Sequence, residues 1–186
     1  MNSGNHIMTG AVSGILVGSG ARRAARIFAF ILFAAIGAQL AVRLPWTPVP
    51  VTMQTLFVVL AGIVLGPRDG FYAMIGYLSL GAAGAPVFAG FSFGPLVLVG
   101  PTGGYLLAFP AAALVAGAIS AKSGRTLSGI FTGALCGTVL ILLSGALYLI
   151  AMTGMSGRTA LALGVTPFVA GGVLKVVAAT VIARKR

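Results

Sequence analysis

Acidic residues are all but missing from this 186-residue chain, which carries one, Asp69, against 12 lysines and arginines. A membrane carrier driven by protons through a relay of buried carboxylates is thereby excluded. Cysteine is equally scarce. The single Cys136 lies in an apolar run, so an intrachain disulfide is impossible, and with His6 as the one histidine a Cys/His metal site finds no support. Nucleotide-binding signatures are also lacking, because Gly100-Pro101-Thr102-Gly103-Gly104 has neither the lysine nor the spacing of a phosphate loop. The chain cannot hydrolyse ATP by itself, so its energy comes from a partner or it works downhill.

What is present is oil and glycine. Hydrophobic residues make up 59% of the chain, charged residues 7%, and there are 28 glycines; mean hydropathy is +1.10. These values describe an all-α integral membrane protein with lipid as its solvent. The length accommodates about six spans with short loops and no appended soluble domain. A net charge of +11 does not point to nucleic acid, since the cations flank hydrophobic runs instead of clustering on a soluble face.

Residues 1–26 read as a Gly/Ser-rich, mobile or interfacial tail, and 27–186 as one six-helix membrane domain. A signal peptide does not fit the start, because Arg22, Arg23 and Arg26 follow its apolar part. The expected spans run from about Ile27 to Leu44, Thr52 to Leu65, Phe71 to Ala83, Tyr105 to Ser120, Leu127 to Met152 and Val165 to Ala183. Between the first two, Pro45, Pro48 and Pro50 impose a stiff loop. Asp69, in the turn between the second and third, is placed to cap the third helix. With both termini cytoplasmic, Arg22, Arg23, Arg26, Arg68, Lys122, Arg125, Arg184, Lys185 and Arg186 lie inside and only Arg43 and Arg158 outside. That asymmetry sets the orientation.

Two features point to a ligand. From Gly81 to Gly104 the chain has seven glycines and three prolines among aromatic residues, and irregular backbone at membrane depth is tolerated only when it is buried in protein or lines a cavity. Phe88, Phe91, Phe93 and Tyr105 are its candidate pocket walls. The second feature is Lys175, the eleventh residue of a 19-residue apolar run, Val165 to Ala183, that spans roughly 28 Å. An ammonium at that depth costs about 2.5–3.5 kcal/mol, usually relieved by a neighbouring carboxylate. This chain has none to offer, so the lysine deprotonates, snorkels to water, or meets an anion from outside.

Ala38-Gln39-Leu40, Pro48-Val49-Pro50-Val51-Thr52-Met53-Gln54-Thr55, Leu65-Gly66-Pro67-Arg68, the run from Gly81 through Pro86-Val87-Phe88 to Gly90, Gly100-Pro101-Thr102-Gly103-Gly104-Tyr105 and Pro167-Phe168 together resemble the BioY family. These are the biotin-specific substrate-binding (S) components of energy-coupling factor (ECF) transporters. The resemblance covers the chain from about Ile27 onward. It implies the S-component fold, with an outward-facing vitamin pocket covered by the loop after the first helix, in a multi-pass protein of the bacterial inner membrane. It implies as partners biotin, a transmembrane coupling protein docked at Ala34 and Ala38, and two ABC ATPases that spend the ATP, the chain itself needing no cofactor. The candidate ligand-binding set is Lys175, Gly172, Phe88, Gly90, Phe91, Ser92, Thr102, Tyr105 and Gln54. The family pairs the last-helix lysine with an aspartate three residues earlier, where this chain has Gly172.

Two other classes compete with the vitamin-binding reading. One is a solitary or passive carrier that equilibrates biotin or a related carboxylate without an ATPase. The other is an enzyme using a Ser-Lys dyad on Lys175, although no serine stands beside that lysine in sequence.

Overall fold

In the computed structural model, the backbone is described for residues 5–184 and side chains from Gly18 onward. Lys185, Arg186 and the His6 side chain lie outside the described residues. The fold is helical: α1 (Asn5–Gln39), α2 (Gln54–Leu65), α3 (Pro67–Ala82), short α4 (Pro95–Leu98) and α5 (Gly103–Leu107), α6 (Phe109–Lys122), α7 (Leu127–Thr153), α8 (Gly157–Gly164) and α9 (Thr166–Arg184). Two strands, β1 (Ala41–Val42) and β2 (Val51–Thr52), pair antiparallel between α1 and α2.

Among the described residues, three helical segments are long and apolar enough to cross a membrane: Gly103–Lys122, which joins α5 to α6, then Leu127–Thr153 and Thr166–Arg184. At 12 residues α2 is only about 18 Å long, short of a hydrocarbon layer. The exposed faces are apolar. On α1, Phe28, Leu32 and Ile36 recur one turn apart and are exposed, an arrangement that suits lipid and not water.

The first helix departs from expectation at both ends. It begins at Asn5, far upstream of Ile27, because glycines without a proline weaken a helix but do not stop it. It ends at Gln39 instead of Leu44, where β1 takes over. The opposite face of α1 carries Ala34 and Ala38, both fully buried. Their spacing serves packing within the chain; Ala25 is exposed and Ala29 half-buried on the same helix.

Small residues let α2, α3 and α6 meet backbone to backbone. At Gly62 an added Cβ would fall onto the carbonyl of Ala113, and at Gly117 onto the carbonyl of Gly62. The turn from α2 to α3 is a single residue, Gly66, at φ 93°. Asp69 does not cap α3 through its side chain. It accepts instead from Arg23, Nη2 to Oδ1 at 2.6 Å and Nε to Oδ2 at 2.9 Å, while Arg26 donates to the Val64 carbonyl near the end of α2 at 3.3 Å. The arginines of α1 thus gather at the α2–α3 turn. That hydrogen bond holds the Asp69 carboxyl below its ordinary value, at a turn outside the apolar runs.

Candidate functional site

The proline-rich loop is a flap. Ala41 pairs with Thr52 and Val42 with Val51, so residues 43–50 are closed at their base, and the three prolines stiffen the span between. Thr47 Oγ1 donates to the Leu163 carbonyl of α8 at 2.8 Å, and Val49 is buried beneath it. The flap is therefore fastened to α8 over the cavity.

Under it lies a cavity of about 410 Å³, within the range for small-molecule sites. Its aromatic lining comes from Phe88, Tyr105, Phe109 and Phe168. The rings brace one another and their neighbours: Tyr105 and Phe168 at 5.9 Å between centroids, and Tyr77 edge-on to Phe88 at 5.6 Å. Such pairs add rigidity beyond their buried area. Its polar lining comes from Thr47, Thr52, Gln54, Thr55, Ser92, Thr102 and Thr138, with Arg43 on the flap, and Gly172 and Lys175 present α9 to it.

Lys175 is 8% exposed, so its ammonium does not snorkel. It lines the cavity, and Nζ donates at 2.6 Å to the carbonyl of Thr52, in β2 at the base of the flap. The carbonyl is a neutral partner. The only acid in the chain is engaged with Arg23, so the protein's own residues offer this lysine no anionic partner.

Thr52 starts a polar chain that leads away from the lysine. Its hydroxyl donates to Gln54 Oε1 at 3.0 Å, Gln54 Nε2 donates to the Tyr77 hydroxyl at 2.5 Å, and that hydroxyl donates to the Val87 carbonyl at 2.9 Å. Tyr77 is fully buried, and each of these groups is satisfied, as buried polar atoms must be. Gln54 therefore both lines the cavity and bridges helices. A second clamp comes from Gln39, which donates to the Phe88 carbonyl at 3.1 Å and accepts from the Phe91 amide at 3.0 Å. The end of α1 thus fixes the glycine-rich loop that carries Phe88.

Of the residues expected from sequence, Lys175, Gly172, Phe88, Ser92, Thr102, Tyr105 and Gln54 come together around the one cavity. Gly90 and Phe91 do not line it. The chain reverses there with Gly90 at φ 68° and Phe91 at φ 57°, Phe88 bridges to Ser92, and the turn throws Phe91 outward to 67% exposure. Phe93 is likewise exposed. Alternation decides this: with Phe88 and Ser92 inward, the tip of the turn between them points out. Tyr105 stays buried because Gly145 and Gly164 leave room for its ring, and its hydroxyl donates to the Gly164 carbonyl at 2.7 Å.

Sequence reasoning missed Arg43, Thr47, Phe109, Thr138 and Phe168 as cavity residues. The signal for the first two was available in the stiff loop itself. Phe109, Thr138 and Phe168 sit on helices with apolar residues all round, where nothing in the pattern marks an inward face.

A model of the BioY family matches residues 6–186. The chain belongs to the BioY family. The probable biotin transporter BioY of Pyrococcus horikoshii is 41% identical over 165 residues, covering 89% of this chain and 96% of that protein. The biotin transporter BioY of Thermotoga maritima is 37% identical over 154 residues, covering 83% and 89%. A crystal structure of the S-component for biotin from an ECF-type ABC transporter superposes with a TM-score of 0.85 at 24% identity, over 90% of this chain and 92% of that one. At that identity the likeness establishes a shared fold. These BioY relatives are transporters and not enzymes, and the Ser-Lys reading is set aside. With its apolar exposed helices, this BioY chain is a multi-pass membrane protein.

Proposed function

We propose that this chain captures biotin at the outer face of a bacterial inner membrane and delivers it inward. The observation that carries the reading is an aromatic-walled cavity beneath the flap that holds a buried lysine with no carboxylate of its own. Biotin supplies what is lacking: an apolar bicyclic body to pack on Phe88, Tyr105 and Phe168, and a carboxylate to meet Lys175. Bringing an anion to an already desolvated ammonium recovers Coulomb energy that the empty protein forgoes. Gln54, Ser92, Thr102 and Thr138 are among the neutral polar groups that line the cavity beside the rest of the ligand.

The chain crosses the membrane six times, through α1, α2, α3, the joined α5 and α6, α7 and α9, with both termini cytoplasmic. Support comes from the charges. Arg23 and Arg26 meet the α2–α3 turn at one end, whereas Arg43 of the flap stands at the other. Arg23 and Arg26 thus share the end away from the cavity mouth, as a cytoplasmic amino terminus requires. Transport is energised by a transmembrane coupling protein and two ABC ATPases, with no cofactor bound by this chain. The absence of a nucleotide-binding motif and the S-component fold support that assignment.

Calorimetric titration of the detergent-purified chain with biotin, and with a biotin ester lacking the charge, tests the capture step. Tight binding of the acid and weak binding of the ester is the expected result; no binding of either refutes the reading. Uptake of labelled biotin into ATP-depleted cells tests the energetics. Accumulation only to equilibrium in both energised and depleted cells would replace the ATPase-driven importer with a passive carrier.

A further inference from the structure

The cavity holds a second cation that the capture step above does not use. Arg43 follows β1 directly, lies on the flap and lines the cavity, yet is exposed to solvent. It makes no hydrogen bond or ion pair within the described residues. It passes close to Gly90, where a Cβ built on the glycine would lie 2.5 Å from Arg43 Nη2. The guanidinium therefore rests against a bare α-carbon on the facing loop, at the rim of the opening. The flap thus carries this charge at the mouth, beside the glycine-rich loop, while Lys175 lies buried at the base of the flap.

We propose that Arg43 is a specificity-determining residue that first meets the ligand's carboxylate at the cavity mouth and passes it on to Lys175. The inference rests on the reading of the cavity as a site for a carboxylate-bearing ligand. The two cations divide the work by their exposure. A hydrated, screened charge adds little to equilibrium affinity, but at a mouth with low-dielectric walls it focuses the field and speeds encounter with anions. The buried ammonium, desolvated and anchored on Thr52, cannot act at a distance through the flap, and governs how long the ligand stays. Anionic ligands are drawn in, neutral ones gain nothing at this step, and cations are repelled twice.

Stopped-flow binding with the intact detergent-purified chain separates these roles, comparing biotin with its neutral methyl ester on wild type, Arg43→Gln and Arg43→Lys. The expected result for Arg43→Gln is an association rate for biotin lowered about fivefold, with the dissociation rate changed less than about twofold. Arg43→Lys retains most of the wild-type rate, and the ester associates equally with all three. At roughly 1 M salt, where the screening length is about 3 Å, the wild-type advantage disappears. An unchanged association rate in Arg43→Gln overturns the proposal, as does equal slowing of acid and ester, which would mark a steric latch. A change confined to dissociation also overturns it. If wild type binds no biotin at all, the functional reading fails first; if it binds biotin and Arg43→Gln is silent, only this inference fails.

Discussion

Lys175→Met removes the buried cation from the cavity while keeping an unbranched side chain of similar length. With ligand bound, the variant leaves a carboxylate facing an apolar site with no charged donor. A hydrogen bond to a charged group contributes about 1.5–3 kcal/mol, and stranding one partner of a fully buried ion pair costs about 3–5 kcal/mol. The flap leaves the cavity partly open, since Arg43 on its rim is exposed, so the lower range applies. A loss of about 2 kcal/mol is roughly a 30-fold rise in Kd. The unliganded protein behaves differently. The Thr52 carbonyl loses its 2.6 Å donor, worth about 1.5–3 kcal/mol for a charged donor, but an unneutralised ammonium no longer has to be buried. Thermal midpoint should therefore shift by only a few degrees. Isothermal titration with biotin and its methyl ester, beside a melting curve of the same preparation, reads both quantities. An unchanged Kd for biotin in a folded variant, or equal losses for acid and ester, would refute the assignment of the carboxylate to the lysine.

Gln39→Ala removes both contacts that fix the turn at Phe88 and Phe91, so amide exchange at Phe91 should rise and biotin affinity fall by about 1–2 kcal/mol; unchanged protection of that amide would contradict the clamp. Gly172→Ala should be tolerated, because its Cβ would lie 3.6 Å from Thr138 Cγ2, and a mid-helix Gly→Ala change is worth up to about 1 kcal/mol in propensity. By contrast Gly62→Ala drives a methyl into the Ala113 backbone and should sharply reduce the folded protein recovered from membranes; equal yields would disprove the close approach of α2 and α6. Asp69→Asn tests the surface ion pair through pH. Its carboxyl is held below the ordinary 3.8, so the pair stabilises the fold above that value and loses its effect as pH falls through the lowered folded value. The melting difference between variant and wild type should be present at pH 6 and vanish toward pH 2.

Hydropathy and proline placement carried most of the architecture. The helical segments expected near residues 52–65, 105–120, 127–152 and 165–183 correspond to α2, α5 with α6, α7 and α9, since length and apolarity are local properties. Element ends were less legible. Gly66 lets α2 and α3 abut in one residue, and the unbroken run of α1 from Asn5 reflects only the lack of a proline. The irregular stretch after Gly81 was recognisable as cavity wall, but not which of its rings faced in. Phe88 and Phe91 are alike in composition and context, and a left-handed turn at Gly90 and Phe91 sends one inward and the other to solvent.

Sequence by itself determined that the charge of Lys175 has no acid within the chain to balance it, because a census of one aspartate needs no coordinates. It also determined that the backbone from Gly81 to Gly104 cannot face lipid, because its prolines and glycines leave amides and carbonyls that oil cannot satisfy. Only tertiary structure decided that the lysine rests on the Thr52 carbonyl under a flap, that Arg43 shares its cavity, and that Ala34 and Ala38 turn inward. The reason is physical. Around a helix that is apolar on every side, the pattern of residues does not distinguish lipid from protein interior, so the inward face is chosen by which neighbours fit closely.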